Sequence, residues 1–290
     1  MTVTEAALSR RPAPVSSELR LPSFGQQALA FAVLAEKTAR SKLTYRLSTL
    51  LSLVSNGFAY CVFLLVWLQV YRENPQPGAV SRDQMLSYLV VAFLVNSVVT
   101  LSLEFRFMQR VRMGLVTSDL LRPLGFLPFQ MAQGVGDALV NVVFALPIAL
   151  VGWWFIGRGF LPPNLASAGL GFVSLGLAFL VSFAVSYLIV QASFVLQSGY
   201  GILFARAALH QVFSGLAAPL VMFPASLRAV AEWLPFRHVV ETPAAIWLGQ
   251  VPLASVPGFL LGQLAWSLGL LALGTLSFRA VMRRHQVQGG

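Results

Sequence analysis

Few side chains in this sequence combine a reactive type with a usable spacing. The two lysines, Lys37 and Lys42, do not follow a glycine, so the phosphate-cradling G-x-x-x-x-G-K-[ST] loop is absent. None of the three histidines opens an H-E-x-x-H zinc helix, and no G-x-S-x-G nucleophile elbow occurs. His210 reads as a packed or interfacial histidine. The single cysteine, Cys61, lies in an apolar run, which excludes an intrachain disulfide and a cysteine metal site. One acid stands out. Asp137 sits about eleven residues into a long apolar run, and an ionisable group at membrane depth is a functional candidate by default. Two readings of it stay open: a pathway residue meeting a cationic cargo, or an acid that hydrogen-bonds to a neighbouring helix or simply lies close to the cytoplasmic interface. Ion-coupled carriers need several such groups, and one does not make a relay.

Basic residues cluster in the segment EFRFMQRVRMGLVTSDLLRPLGF, residues 104–126. Arg106 and Arg110 share one helical face, with Arg112 close behind. Gly114 can end that helix, Ser118 or Asp119 can start the next turn, and Pro123 after Arg122 stops it. A short basic helix followed by a stiff turn has the shape of a docking element for a soluble partner. A second informative segment, residues 226–253, is too polar to span yet keeps an apolar pattern broken at Pro235 and Pro243. Trp233 and Trp247 read as interfacial anchors. Two short helices dipping into the outer leaflet fit this pattern better than a free loop.

The elements that position these segments follow from composition. Hydrophobic residues make up 57% and charged residues 10% of the 290, against roughly 25% charged in soluble domains, so a soluble chain could not cover its own surface. The formal charge of +10 is confined to short segments between apolar runs, which argues against nucleic acid and for topology signals. Residues 1–22 read as a flexible cytoplasmic tail. Residues 23–46 read as an amphipathic helix on the membrane surface: Phe24, Ala28, Phe31, Ala35, Ala39 and Leu43 form its apolar stripe, and its basic side, with Lys37, Arg40 and Lys42, faces anionic headgroups. Six spans are expected within 47–280, at about 47–71, 84–103, 126–156 with a kink at Pro147, 165–191, 207–227 and 258–278, with a polar bend near Gln197–Gly201. Residues 228–257 form the external segment and 281–290 a cytoplasmic tail. Placing both termini inside puts fifteen Lys and Arg on the cytoplasmic side and five outside, a clear positive-inside bias. Small residues at four-residue spacing (Ser174, Ala178, Ser182, Ser186) and the Gly258, Gly262, Gly269 series mark close helix approaches, read first as packing within the chain.

In their order, the amphipathic entry helix, six spans, the R-x-G-x(5)-LLRPL pattern after span two and the L-P-F segment before the last span resemble the permeases of type-2 ABC exporters, from about Phe24 to Gly290. The subgroup it looks most similar to is bacterial. The resemblance implies an all-α membrane protein that forms half of a translocation pathway. It would pair with a second permease subunit, identical or different, in the bacterial inner membrane. Cytosolic ATPase subunits would carry the ATP and Mg, with no cofactor on this chain. Arg106, Arg110, Arg112, Gly114, Asp119, Arg122 and Pro123 would belong to the coupling helix and its turn. Trp233, Pro235, Phe236, His238 and Pro243 would lie in the paired re-entrant helices of the outer gate. The alternative is a stand-alone polytopic carrier or an integral-membrane enzyme acting on lipid-like substrates.

Overall fold

The computed structural model describes residues 23–44, 46–75, 78–113, 115, 124–157, 159–195 and 200–286. Its α-helices are α1 (Phe24–Thr44), α2 (Arg46–Glu73), α3 (Arg82–Val99), α4 (Leu103–Arg112), α5 (Phe126–Ile156), α6 (Leu165–Val195), α7 (Tyr200–Phe213), α8 (Ala225–Trp233), α9 (Glu241–Trp247) and α10 (Val256–Gln286). Short 3-10 turns cover Leu220–Met222, Pro235–His238 and Leu253–Ser255, and no strand occurs among the described residues.

Local sequence explains several helix starts. Ser23 and Gln26 bond reciprocally to each other's backbone N–H at the head of α1, and Ser81 and Gln84 do the same at α3, the Ser-x-x-Gln capping box. Asn164 accepts from the Ser167 N–H at the head of α6. Pro147 lies inside α5, which continues past it to Ile156.

Packing is centred on α3 and α6. Met85, Tyr88, Val90 and Ala92 of α3 and Ala178, Val181, Phe183 and Ala184 of α6 are fully enclosed. α10 lies along α6 and runs in the same direction, since Gln263 meets Ser174 and Gly274 meets Tyr187. Two parallel helices cannot be joined by a hairpin, so the chain between them must travel back along their length. α5 runs antiparallel to α3, with Gly152 against Val90 and Asn141 against the Thr100 carbonyl. α1 packs along α5 where Gly136 removes the obstacle: a Cβ there would fall 2.5 Å from the Ala35 carbonyl oxygen and 2.8 Å from the Thr38 Cβ.

Four stretches of the described residues are long and apolar enough to cross a membrane: Arg82–Arg112, Phe126–Trp154, Leu165–Ala192 and Leu253–Ala280. They coincide with the second, third, fourth and sixth expected spans. The expected first span lies within α2, a helix of 28 residues.

The fifth expectation fails. Residues 207–227 do not form a helix: α7 ends at Phe213, and the chain breaks at Ser214–Pro219, with Gly215 at φ +82. Gly215, Pro219 and Pro224 carry the reason, since each disfavours a helix interior. At 14 residues, α7 spans about 21 Å, short of the roughly 30 Å hydrocarbon core. Neighbouring elements satisfy the freed backbone. Trp67 Nε1 donates to the Ala217 carbonyl (2.8 Å) and the Tyr88 hydroxyl to the Gly215 carbonyl (2.7 Å). The Glu241 N–H donates to the Ser214 carbonyl (3.0 Å), and its carboxylate accepts from the Leu220 N–H (3.0 Å). Irregular backbone survives at depth only when protein closes around it in this way.

Three further expectations shift. α10 extends well past residue 278, so most of the closing tail continues the last helix. Lys42 faces the protein rather than headgroups, because positions 35, 38 and 42 share one helical face and Ala35 is the buried residue of α1. Part of the expected bend, residues 197–199, and the tail 1–22 lie outside the described residues.

Substituting Gly136 tests the α1 contact. Gly136→Leu is expected to push α1 off α5, cost about 1–3 kcal/mol or more, and expose Lys37 and Arg40 to faster trypsin cleavage than in the parent chain.

Candidate coupling site and its buried polar node

α4 has an exposed, mixed outer face and a packed inner face. Leu103, Glu104, Phe107 and Met108 are buried, at the helical spacing of one side. Leu103 and Phe107 join Phe126, Phe183, Tyr187 and Val190 in one apolar cluster. The opposite side presents Phe105 (50% exposed), Gln109, Arg112 and Met113 (59% exposed). Arg112 holds its guanidinium over the Tyr200 ring of α7, 4.6 Å from the centroid.

Arg106 does not point at solvent. Its guanidinium forks onto Asp137 of α5, Nη1 to Oδ1 at 2.7 Å and Nη2 to Oδ2 at 2.9 Å, while Nε donates to Gln133 Oε1 at 3.2 Å. Asp137 is fully buried. Its Oδ2 also accepts from the Ser102 N–H at 3.0 Å. Ser102 heads α4 and makes no side-chain cap of its own, so a carboxylate from another helix stands at that positive end. Lys42 Nζ stands 3.8 Å from Oδ1 and donates to Asn141 Oδ1 at 2.7 Å. Burial pushes the Lys42 ammonium below its ordinary value, with Asp137 opposing and Arg106 adding to the shift. Asn141 in turn donates to the Thr100 carbonyl at 2.8 Å. Gln133, Asp137 and Asn141 thus form a polar stripe at four-residue spacing on α5. That stripe grips α1, α4 and the α3–α4 link together.

A second ion pair ties α4 to α7. Glu104 Oε1 and Arg206 Nη1 are 3.1 Å apart, both side chains well enclosed, close enough for strong attraction though not aligned as a hydrogen bond.

The expected coupling residues therefore separate. Arg112 is outward-facing, Arg110 is half-buried, and Arg106 is committed inward. Gly114, Asp119, Arg122 and Pro123 lie outside the described residues. Asp137 makes interhelical bonds, its Oδ1 taken by Arg106 and its Oδ2 shared by Arg106 and the Ser102 N–H. The Gln133–Asp137–Asn141 spacing was readable in the sequence as a polar stripe in an apolar run. Its partners were not, because nothing local says which helices it meets.

Farther along the chain, the two short helices expected in 226–253 are present as α8 and α9, joined through the turn Pro235–His238. Trp233 is 83% exposed, whereas Pro235, Phe236, His238 and Pro243 are buried. Phe236 packs on Val185 and Ile189 of α6. Gln263 is fully buried and fixes this segment to both long helices: Nε2 donates to the His238 carbonyl (2.9 Å) and the Ser174 carbonyl (3.1 Å), and Oε1 accepts from Ser174 Oγ (2.9 Å). His238 Nδ1 is 3.3 Å from Thr242 Oγ1. Ser174 lies nine residues into α6, about 13 Å from its start, so the segment packs well down the bundle. Trp247 departs from the anchor role. It turns inward over Gly171 and donates to the Phe160 carbonyl at 2.9 Å. The serine stripe is internal, with Ser182 Oγ donating to the Val99 carbonyl at 2.8 Å. Gly262 admits the His238 ring, while Gly258 and Gly269 face open space.

Arg106→Ala would leave the buried Asp137 carboxylate with only the Ser102 N–H and the more distant Lys42 ammonium, an expected loss of about 3–5 kcal/mol. Arg106→Lys keeps the charge but loses the fork and is expected to fall between the two in thermal unfolding in detergent.

Residues 58–289 match the family described as ABC-2 family transporter protein. No curated protein sequence matches the chain. That match covers most of the chain and all the long apolar helices after α2, and the chain belongs to the ABC-2 family of transporter membrane proteins.

Proposed function

We propose that this chain is the permease subunit of an ATP-driven exporter, forming half of a pathway completed by a second permease copy or homologue. Membership of the family makes it a multi-pass membrane component of an ABC transporter and not itself the catalytic subunit. Hydrolysis, with ATP and Mg, belongs in this reading to cytosolic ATPase subunits beneath α4. The bacterial cytoplasmic membrane, with both termini inside, suits the Lys and Arg distribution. In that setting α2, α3, α5, α6 and α10 cross the bilayer. α7 makes the return crossing between the parallel helices α6 and α10 together with the irregular chain that follows it. α8 and α9 enter from the outer side as the gate segment, and α1 lies along the inner surface.

The single observation that carries the reading is the face of α4. A transporter helix that docks a soluble engine needs a rigid mount and an exposed anchor. α4 is held from behind by buried charge pairs to α5 and α7 and turns Phe105, Gln109, Arg112 and Met113 outward. An aromatic and a thioether flanked by a cation make a small hot spot for an apolar groove with an acidic rim. In this reading Arg112 stays on the contact surface, while Arg106 belongs to the mount. ATP-driven closure of paired ATPases would then push α4 as a solid lever.

The test is co-purification of the ATPase with the chain from native membranes. Phe105→Glu with Met113→Glu is expected to reduce bound ATPase roughly tenfold, the effect of losing about 1.4 kcal/mol, with unchanged thermal stability. Undiminished ATPase binding in that variant would remove α4 as the docking element.

A further inference from the structure

From the polar node we infer that Asp137 is a transmission joint, the positioning residue through which displacement of α4 reaches α5 and α1. The inference rests on reading α4 as the surface that an ATPase engages. Between α3 and α4 the helix is broken at Thr100–Ser102, with Thr100 at φ −75 and ψ 111. A break at that place is a hinge, and a free hinge would absorb any push on α4 by bending. It is not free. Asn141 holds the Thr100 carbonyl on one side of the break and Asp137 holds the Ser102 N–H on the other, both from the same face of α5. Arg106, one turn into α4, is forked onto the same carboxylate. A push on α4 is therefore handed to α5.

It is handed on to α1 by two contacts. The Gly136 notch sets α1 against the α5 backbone, and Lys42 reaches across to Asn141 and Asp137. One carboxylate thus faces two cations on two different helices. Lys42 stands 3.8 Å from the oxygen that Arg106 already bonds. If a stroke drew Arg106 back, Lys42 is placed to replace it, so the buried charge stays matched over a range of α4 positions. That is what a joint needs and a static brace does not.

Two measurements on the full chain, in a Cys61→Ser background, decide the matter. In the chain alone in liposomes, spin labels at Lys37 (α1) and Gln109 (α4) are expected to give one narrow distance distribution. Asp137→Asn and Asn141→Ala should broaden it at least twofold, and Asn141→Ala leaves no charge unpaired, so it serves if Asp137→Asn folds poorly. In the complex co-purified with its ATPase, labels at Lys37 and at Leu165, at the far end of α6, should change separation on trapping with ATP and vanadate. That change should vanish in both variants while the ATPase stays bound, an outcome that loss of stability alone does not give. Equal widths in parent and variants, or an undiminished nucleotide-driven shift in the variants, would overturn the joint. If no ATPase co-purifies with the parent chain, the permease reading falls, and the chain-alone widths still decide the joint.

Discussion

A fully buried carboxylate inside an apolar helix is the constraint from which the rest of this structure can be read. Isolated, such a charge would cost many kcal/mol to keep ionised away from water. Asp137 is instead met by a forked guanidinium, a backbone N–H at a helix head and a nearby ammonium. Meeting that demand draws three elements to one point on α5. α4 must lie where Arg106 reaches, the α3–α4 link must pass where Ser102 can donate, and α1 must dock where Lys42 can approach. The glycine one residue earlier, Gly136, is what lets α1 come close enough. Charge complementarity and a missing side chain together fix the arrangement at this end of the bundle.

The irregular segment before the last long helix is held by further means. There the irregular chain 214–224 and the short helices α8 and α9 are fastened by neutral hydrogen bonds from Trp67, Tyr88, Trp247 and Gln263 to backbone carbonyls, alongside the Glu241 carboxylate, which accepts from the Leu220 N–H and pairs with Arg237. Neutral bonds satisfy polar backbone at a smaller desolvation cost than ion pairs. They suit a segment that interrupts helices within an apolar bundle. α4 is thus backed by charge pairs to two helices, while the chain before α10 is held largely through its backbone carbonyls.

Much of this was legible in the sequence, and the exceptions have physical reasons. Long apolar runs marked α3, α5, α6 and α10 because a helix able to cross a bilayer must be apolar all round. The Ser-x-x-Gln pairs at two helix starts carry a local capping signal that the sequence reading did not use. The two short helices around Pro235 were readable from their polarity and prolines. The break in 214–219 was missed because its residues are as apolar as a span; only Gly215, Pro219 and Pro224 disclosed it, and apolarity outweighed them. Arg106 and Lys42 were assigned outward roles because charge on a helix face usually seeks water. Whether a cation faces out or in depends on an acid thirty or ninety residues away, and tertiary pairing at that separation leaves no local mark. Asp137 itself was visible, but its partners were not.

On the function proposed above, the outward face of α4 is seated on a cytosolic ATPase. A photoreactive benzophenone side chain at Phe105, irradiated in native membranes, tests it most directly. The expected product is a single crosslink to a soluble-domain protein whose peptides include a G-x-x-x-x-G-K-[ST] loop. Crosslinks only to lipid, or only to another copy of this chain, would contradict it.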